Sequence, residues 1–234
     1  MMRPEDIAAV RQLELFANVK EETFQSLING GFLQNFPEGV VLIHQNQRAD
    51  FLYILIEGNI EMFSYTEEKQ TILDIVEPVG LFILAAVLND DVCLQSARTL
   101  SNATVLMIPA EQVRQAIEED ITFMRAVVRE LAKRYRHTVK ELKNQKLRSS
   151  SERLANFLIK FAKQQNQTHF IDLPCEKRLI ARYLGMTAEN LSRSFSQLAK
   201  HGIKVDGSRV VFVDMHKLEL FARPDPLIDK IEPQ

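Results

Sequence analysis

The spacing of hydrophobic positions changes along the chain. Near the start, apolar residues recur at helical intervals in EDIAAVRQLELF and KEETFQSLINGG, and Gly30-Gly31 closes the second run, so two short helices are predicted. From Phe32 the pattern becomes a series of short Val-, Ile-, Leu- and Phe-rich segments: VVLIHQ, FLYILIEG, NIEMFSYT, QTILDIVEP, SARTL and TVLMIP. Turn-forming residues separate them, among them Pro37-Glu38-Gly39, Arg48-Ala49-Asp50, Glu57-Gly58 and Glu67-Glu68-Lys69. Many short strands at close intervals predict a small β-barrel or roll.

After Pro109 the helical period returns. AEQVRQAIEED reads as a helix, and a longer one runs from near Ile121 to about Gln145. Within it Met124, Val128, Leu131, Tyr135, Thr138 and Leu142 follow an alternating four-three spacing, a heptad seam. Such a helix would be about 37 Å long at 1.5 Å per residue. Its narrow stripe suits pairing with a second copy in parallel, and packing against its own domain is the alternative. Residues 133–148 carry Lys133, Arg134, Arg136, Lys140, Lys143, Lys146 and Arg148 against the single acid Glu141. That run reads either as a solvated helix face or as long-range attraction for a phosphate backbone.

Ser149 and Glu152 have the spacing of a capping box, which predicts a new helix burying Leu154, Phe157, Leu158 and Phe161. A polar loop, KQQNQTHF, and a short strand, HFIDLP, follow. Residues 176–202 then read EKRLIARYLGMTAENLSRSFSQLAKHG. Glu176 to Leu184 is a short helix offering Leu179, Ile180, Tyr183 and Leu184 to a core. Gly185 supplies a left-handed turn, and Thr187 caps a second helix with Leu191, Phe195 and Leu198 on one face. Helix, short glycine turn and capped helix form a helix-turn-helix. The exposed start of the second helix carries Glu189, Ser192 and Arg193 on one face. A guanidinium suits guanine N7 and O6, a carboxylate suits cytosine N4, and a hydroxyl serves either way. The same pattern also fits an amphipathic helix pair with a solvated polar face. Asp206-Gly207 between β-forming runs predicts a hairpin, hence a winged helix, with Lys204 and Arg209 placed to meet phosphates. MHKLELFA reads as a short helix, and RPDPLIDKIEPQ as an extended or disordered tail.

Length and charge sharpen this picture. The 234 residues, 46% hydrophobic, suit two domains. Residues 1–147 hold 15 Lys and Arg against 21 Asp and Glu, a balance of −6, whereas 148–234 hold 14 against 10, a balance of +4. An acidic front and a basic back fit a sensor joined to a DNA reader, although so modest an asymmetry does not decide the matter. No apolar run is long enough to span a membrane, and the early acids argue against a secretory signal, so a cytoplasmic location is expected. Cys93 and Cys175 are too few and too far apart for a disulfide framework or a four-thiolate cluster. Each is a small buried or loop residue, or else a redox-sensitive thiol. With only eight glycines, and with no Walker loop, G-x-S-x-G, H-E-x-x-H or C-x-x-C, an enzyme is not expected.

These segments together resemble the Crp–Fnr superfamily of bacterial regulators across nearly the whole chain. VVLIHQNQRADFLYILIEGNIEMF resembles its sensor roll, with Gly39 and Gly58 at turns; the long helix resembles its dimerisation helix; LGMTAENLSRSFSQLAKHGI resembles its recognition segment. The resemblance implies an α+β fold: a cyclic-nucleotide-binding-like β-roll over 1–120, a dimerisation helix and hinge over 121–148, a winged helix-turn-helix over 149–222, and a tail over 223–234. It implies a homodimer that binds double-stranded DNA and works with RNA polymerase, with Glu189, Ser192 and Arg193 on bases, Lys177, Thr187 and Arg209 on phosphates, and Met124, Val128, Leu131, Tyr135 and Leu142 between the copies. Ala188 stands where cyclic-AMP-type members carry Arg, and Ser192 where they carry Gly. Both departures point to the Fnr, nitric-oxide-regulator side, whose half-sites are like TTGAT.

The same resemblance places an effector pocket at Phe82, Leu84, Ala85, Gln95 and Ser96. Leu84-Ala85 replace the Gly-Glu pair, and Gln95-Ser96 the Arg-Ser/Thr pair, that hold a cyclic nucleotide. A buried cyclic phosphate needs a cation or a nest of N–H donors, so cyclic AMP and cyclic GMP are not expected. The Cys-rich N-terminus of the iron–sulfur oxygen sensors is absent too. Nitric-oxide-responsive members with similarly apolar sensors use haem, so the resemblance implies haem responding to nitric oxide or carbon monoxide, with His44 the first choice of ligand among His44, His137, His169, His201 and His216. The alternatives are a protein-interaction module that does not bind DNA, and a regulator with a redox-sensitive thiol.

Overall fold

The computed structural model describes residues 3–173 and 175–229. It divides into an N-terminal unit ending at Arg134 and a C-terminal unit starting at Tyr135, a division that falls inside the long helix. In chain order the N-terminal unit begins with α1 (Pro4–Arg11) and α2 (Glu21–Asn29), followed by β1 (Phe32–Phe36), β2 (Val41–Ile43), β3 (Phe51–Glu57), β4 (Ile60–Tyr65), β5 (Gln70–Val76) and β6 (Gly80–Phe82). Then come α3 (Leu84–Asn89), β7 (Ser96–Thr99), β8 (Ala103–Pro109), α4 (Ala110–Glu119) and α5 (Ile121–Leu147).

The strands form two four-stranded antiparallel sheets, ordered β1-β8-β3-β6 and β2-β7-β4-β5. That is the roll expected from the short apolar segments. The run FLYILIE does not alternate because β3 is central: β8 and β6 flank it, and helices α1, α3 and α4 touch it. Leu52, Ile54 and Leu55 are therefore all fully buried, and truncating any of them to Ala would cost about 2–5 kcal/mol. The apolar run FILAAVL is not one strand. β6 ends at Phe82, Ile83 takes a left-handed φ of 70°, and α3 begins at Leu84.

The C-terminal unit continues from α5 through α6 (Ser150–Gln164), β9 (Phe170–Asp172), α7 (Lys177–Tyr183), α8 (Ala188–Leu198), a 3-10 turn at Ala199–His201, β10 (Ile203–Asp206), β11 (Arg209–Phe212), α9 (Met215–Ala222) and α10 (Pro226–Asp229). The capping box at the start of α6 forms: the Ser149 hydroxyl accepts from the Glu152 N–H, and the Glu152 carboxylate accepts from the Ser149 N–H at 2.8 Å. Leu154 and Leu158 join Ile180, Leu184, Leu191, Phe195 and Leu198 in the core, while Phe157 and Phe161 lie half-buried and stacked at its edge. Strands β10, β11 and β9 form a small antiparallel sheet in that order. The hairpin turn is Gly207-Ser208, with Asp206 paired to Arg209.

Gly202 joins the 3-10 turn to β10 at φ 96°, where a Cβ would lie 2.3 Å from the Asp214 carbonyl oxygen. Its own carbonyl accepts the Val213 and Asp214 N–H groups at 2.8 and 3.1 Å. The tail differs from expectation over 223–229, because α10 is helical and Asp229 receives the Arg148 guanidinium. Residues 230–234 lie outside the described residues. Among the described residues no helix is long and apolar enough to cross a membrane.

Candidate nucleic-acid interface

Helix α8 starts where Thr187, in extended conformation, accepts the Asn190 N–H at 3.1 Å. Losing such a cap costs about 1 kcal/mol. The helix buries Leu191, Ser194, Phe195 and Leu198, which turns Glu189, Ser192 and Arg193 outward together. Arg193 donates to the Glu189 carboxylate at 2.5 Å, with both side chains more than 70% exposed. An exposed pair four residues apart contributes only a few tenths of a kcal/mol. Its guanidinium and carboxylate can therefore be redirected to other partners at small cost.

Beside this face lies a cleft of about 440 Å³, lined in part by Lys177, Arg178, Ser192, Ser196 and Lys204. The Lys177 ammonium sits 5.5 Å from the Phe195 ring centroid, which holds it at the edge of the cleft. The fold thus brings Lys177, Lys204 and Ser192 together, with Thr187 at the adjoining cap. Sequence reading passed over Arg178 and Ser196; the signal was present in Lys177-Arg178 and in the four-residue step from Ser192 to Ser196.

Arg209 is placed differently. It makes a two-pronged pair with Asp172 on the neighbouring strand, both contacts at 2.9 Å, and lies over the Phe170 ring at 4.2 Å. The Arg209 hydrogen bonds hold the Asp172 carboxyl below the usual carboxylate range, and Asp172 raises the guanidinium in return. The β11–β9 register makes this pairing, so the structure does not leave Arg209 as an uncommitted phosphate cation.

Helix α5 presents two faces. Phe123, Ala126, Val127 and Glu130 are buried, whereas Met124, Val128, Tyr135 and Leu142 are 37%, 57%, 72% and 56% exposed. Leu131 departs from the expected stripe, being half-buried against the N-terminal core. Four cations of the basic run, three on this helix and Arg148 just past its end, are committed to acids. Lys133 pairs with Glu14, Arg134 with Glu130, Lys143 with Asp225 and Arg148 with Asp229.

The expected effector pocket does not assemble. Phe82 and Leu84 are buried in the core, and Phe82 stacks on Tyr53. Ala85 is exposed on α3 and Gln95 is half-exposed. Ser96 is buried, with its hydroxyl accepting the Gln45 N–H at 2.9 Å. Ile83 causes the mismatch: its left-handed turn folds Leu84 inward and leaves Ala85 outside. A cavity of about 350 Å³ opens elsewhere in the roll, and none of the five residues lines it.

His44 lies exposed in the turn leaving β2, and none of the five histidines is buried. The donor set therefore does not fit a haem iron. Burial raises the Cys93 and Cys175 thiols above their usual value, with further upward pushes from Asp50 and Glu176 respectively. A raised thiol is a poor nucleophile, which argues against a redox-sensitive cysteine. Sequence reading also missed Glu61, fully buried and cross-strand from Arg98. The Arg98 guanidinium pairs with it and lies over the Phe63 ring.

Comparison with known proteins agrees with this two-unit arrangement. A protein described as a CRP-like cAMP-activated global transcriptional regulator, from Mycobacterium tuberculosis, is 22% identical over 195 residues, covering 81% of this chain and 87% of its own. A solved structure of a transcriptional regulator assigned to the Crp/Fnr family, from Eubacterium rectale, shares the fold with a TM-score of 0.73 at 15% identity, covering 90% of this chain and 98% of its own. The structure of DNR from Pseudomonas aeruginosa matches with a TM-score of 0.52 at 20% identity, covering 94% and 99%. The cyclic nucleotide-binding domain family matches residues 33–120, and the Crp-like helix-turn-helix domain family matches residues 152–221. Carrying both domains in this order over more than half of its length, the chain belongs to the Crp–Fnr family of transcription regulators.

Proposed function

We propose that the chain acts as a homodimer reading a palindromic TTGAT-like site, on the Fnr and nitric-oxide-regulator side of its family. The observation that carries this reading is the outward face of α8, where a capped helix presents Glu189, Ser192 and Arg193 beside a cleft edged by Lys177 and Lys204. Arg193, Glu189 and Ser192 read base edges, and Lys177, Thr187 and Lys204 steady the backbone. Arg209 reaches a phosphate only by releasing Asp172. The exposed stripe of α5 pairs the copies, which sets two reading helices about 34 Å apart, one turn of duplex. The regulator works in the cytoplasm with RNA polymerase.

The effector is a small molecule other than a cyclic nucleotide. Leu84-Ala85 and Gln95-Ser96 supply neither the carboxylate nor the guanidinium that a buried cyclic phosphate requires. Haem as the responder to nitric oxide or carbon monoxide finds no ligand among these histidines, so no step is assigned to it.

Gel shift of the full chain on a TTGAT-N4-ATCAA duplex tests the DNA reading. The expected result is a single complex that outcompetes a scrambled duplex and weakens steeply with salt. Equal affinity for the scrambled duplex at every salt concentration overturns the site assignment, and no binding to either favours a protein-interaction module instead.

A further inference from the structure

The cavity of about 350 Å³ in the N-terminal roll has no part in DNA reading. Leu42 and Ile43 from β2, the turn residues Gln47, Arg48, Ala49 and Asp50, Phe51 and Tyr53 from β3, and Cys93 line it. Its size lies at the small end of ligand pockets, which span about 300–1,000 Å³.

Two of its lining side chains, Tyr53 and Cys93, carry neutral polar groups. Tyr53 is 9% exposed and Cys93 2%, and neither the hydroxyl nor the thiol makes a hydrogen bond among the described residues. Tyr53, Cys93 and Asp50 line the same cavity. Stacking on Phe82, 5.1 Å between centroids, holds the Tyr53 ring in place. Burial pushes Tyr53 up to about 12 and also raises Cys93, so both stay protonated and neutral near pH 7. The inner end thus offers hydrogen bonds without charge.

The mouth is different. Arg48 donates twice to Asp90 and is committed there. Asp50 is exposed, and its carboxylate makes no hydrogen bond or ion pair among the described residues. Leu42, Ile43, Ala49 and Phe51 supply the apolar part of the lining. The lining thus combines a carboxylate that makes no hydrogen bond, neutral polar groups and apolar side chains, while its one guanidinium, Arg48, is held by Asp90; that set suits a cation with an apolar body and a neutral polar end better than an anion.

We infer that this cavity is a binding site for a small amphipathic amine, whose ammonium meets Asp50, whose body lies against Leu42 and Ile43, and whose neutral polar end meets Tyr53 and Cys93. The inference rests on the roll alone and stands or falls independently of the DNA site.

Calorimetric titration of the full chain with tyramine, 4-ethylphenol and phenethylamine tests it. Tyramine carries both ends, 4-ethylphenol lacks the amine and phenethylamine lacks the hydroxyl. Saturable one-to-one binding of tyramine is expected, at least about tenfold tighter than either analogue. Asp50→Asn, at an exposed position that leaves the core intact, should weaken tyramine about tenfold while leaving 4-ethylphenol unchanged. Tyr53→Phe should erase the advantage of tyramine over phenethylamine. No saturation by about 10 mM tyramine, or an Asp50→Asn variant that binds tyramine as the wild type does, overturns the assignment.

Discussion

Arg148 and Asp229, 81 positions apart, meet through two parallel hydrogen bonds of 2.8 and 2.5 Å, with the Arg148 side chain only 7% exposed. Asn144 takes a third contact at 3.2 Å, and Lys143 reaches Asp225 on the same tail. The tail therefore braces the junction where α5 ends and α6 begins. Asp229→Ala leaves a nearly buried guanidinium short of its main partner, which should cost about 2 kcal/mol. Urea unfolding followed by circular dichroism should show a lower midpoint; an unchanged midpoint would show that the tail contributes nothing to this junction.

On α8 the pairing of Arg193 with Glu189 is exposed and cheap to break. Arg193→Ala should leave the melting temperature almost unchanged. It should weaken the specific complex by about 1–3 kcal/mol and relax discrimination at one base pair. Gel shifts on duplexes mutated one base at a time provide the measurement, and wild-type affinity and selectivity would remove Arg193 from the reading face.

Under the proposed pairing through the exposed stripe of α5, dimerisation and folding rest on different faces of this helix. Val128 and Leu142 are more than half exposed, whereas Phe123 and Val127 are buried. Val128→Glu combined with Leu142→Glu should leave the fold of the single chain intact and halve the mass seen by sedimentation. Palindromic duplex binding should weaken in parallel. A double variant that sediments like the wild type would place the interface elsewhere.

The Glu152 capping box makes a pH prediction. The Ser149 hydroxyl and backbone N–H hold the Glu152 carboxyl below its ordinary value of 4.5. A carboxylate favoured by folding adds stability that is complete above that ordinary value and is lost as pH falls through the lower folded value. Glu152→Gln should therefore cost on the order of 1 kcal/mol at neutral pH, and the difference should shrink in acid. Thermal melts of both proteins near pH 7 and near pH 3 would show it; a gap of constant size would mean that the carboxylate charge plays no part.

What was legible in the sequence was local. Thr187, Leu191, Phe195 and Leu198 repeat at helical intervals and fix which way Glu189, Ser192 and Arg193 face, and Ser149 with Glu152 announces the start of α6. The misreadings concern contacts that no local period encodes. Arg209 and Asp172 meet through strand register, and Arg148 and Asp229 through the return of the tail. The expected effector residues were placed by resemblance along an apolar run, and one left-handed residue, Ile83, redirects that run into a helix.

The crowding at Gly202 bears on how variants of this protein should be interpreted. Even a single methyl there would collide with the carbonyl of Asp214, whose side chain caps α9, while the Gly202 carbonyl is already engaged by Val213 and Asp214. The hairpin and α9 are thus riveted at one point and cannot be displaced separately. A loss of DNA binding caused by a change at 202 would report faulty assembly of the whole reading head, and would say nothing about which atoms touch the duplex.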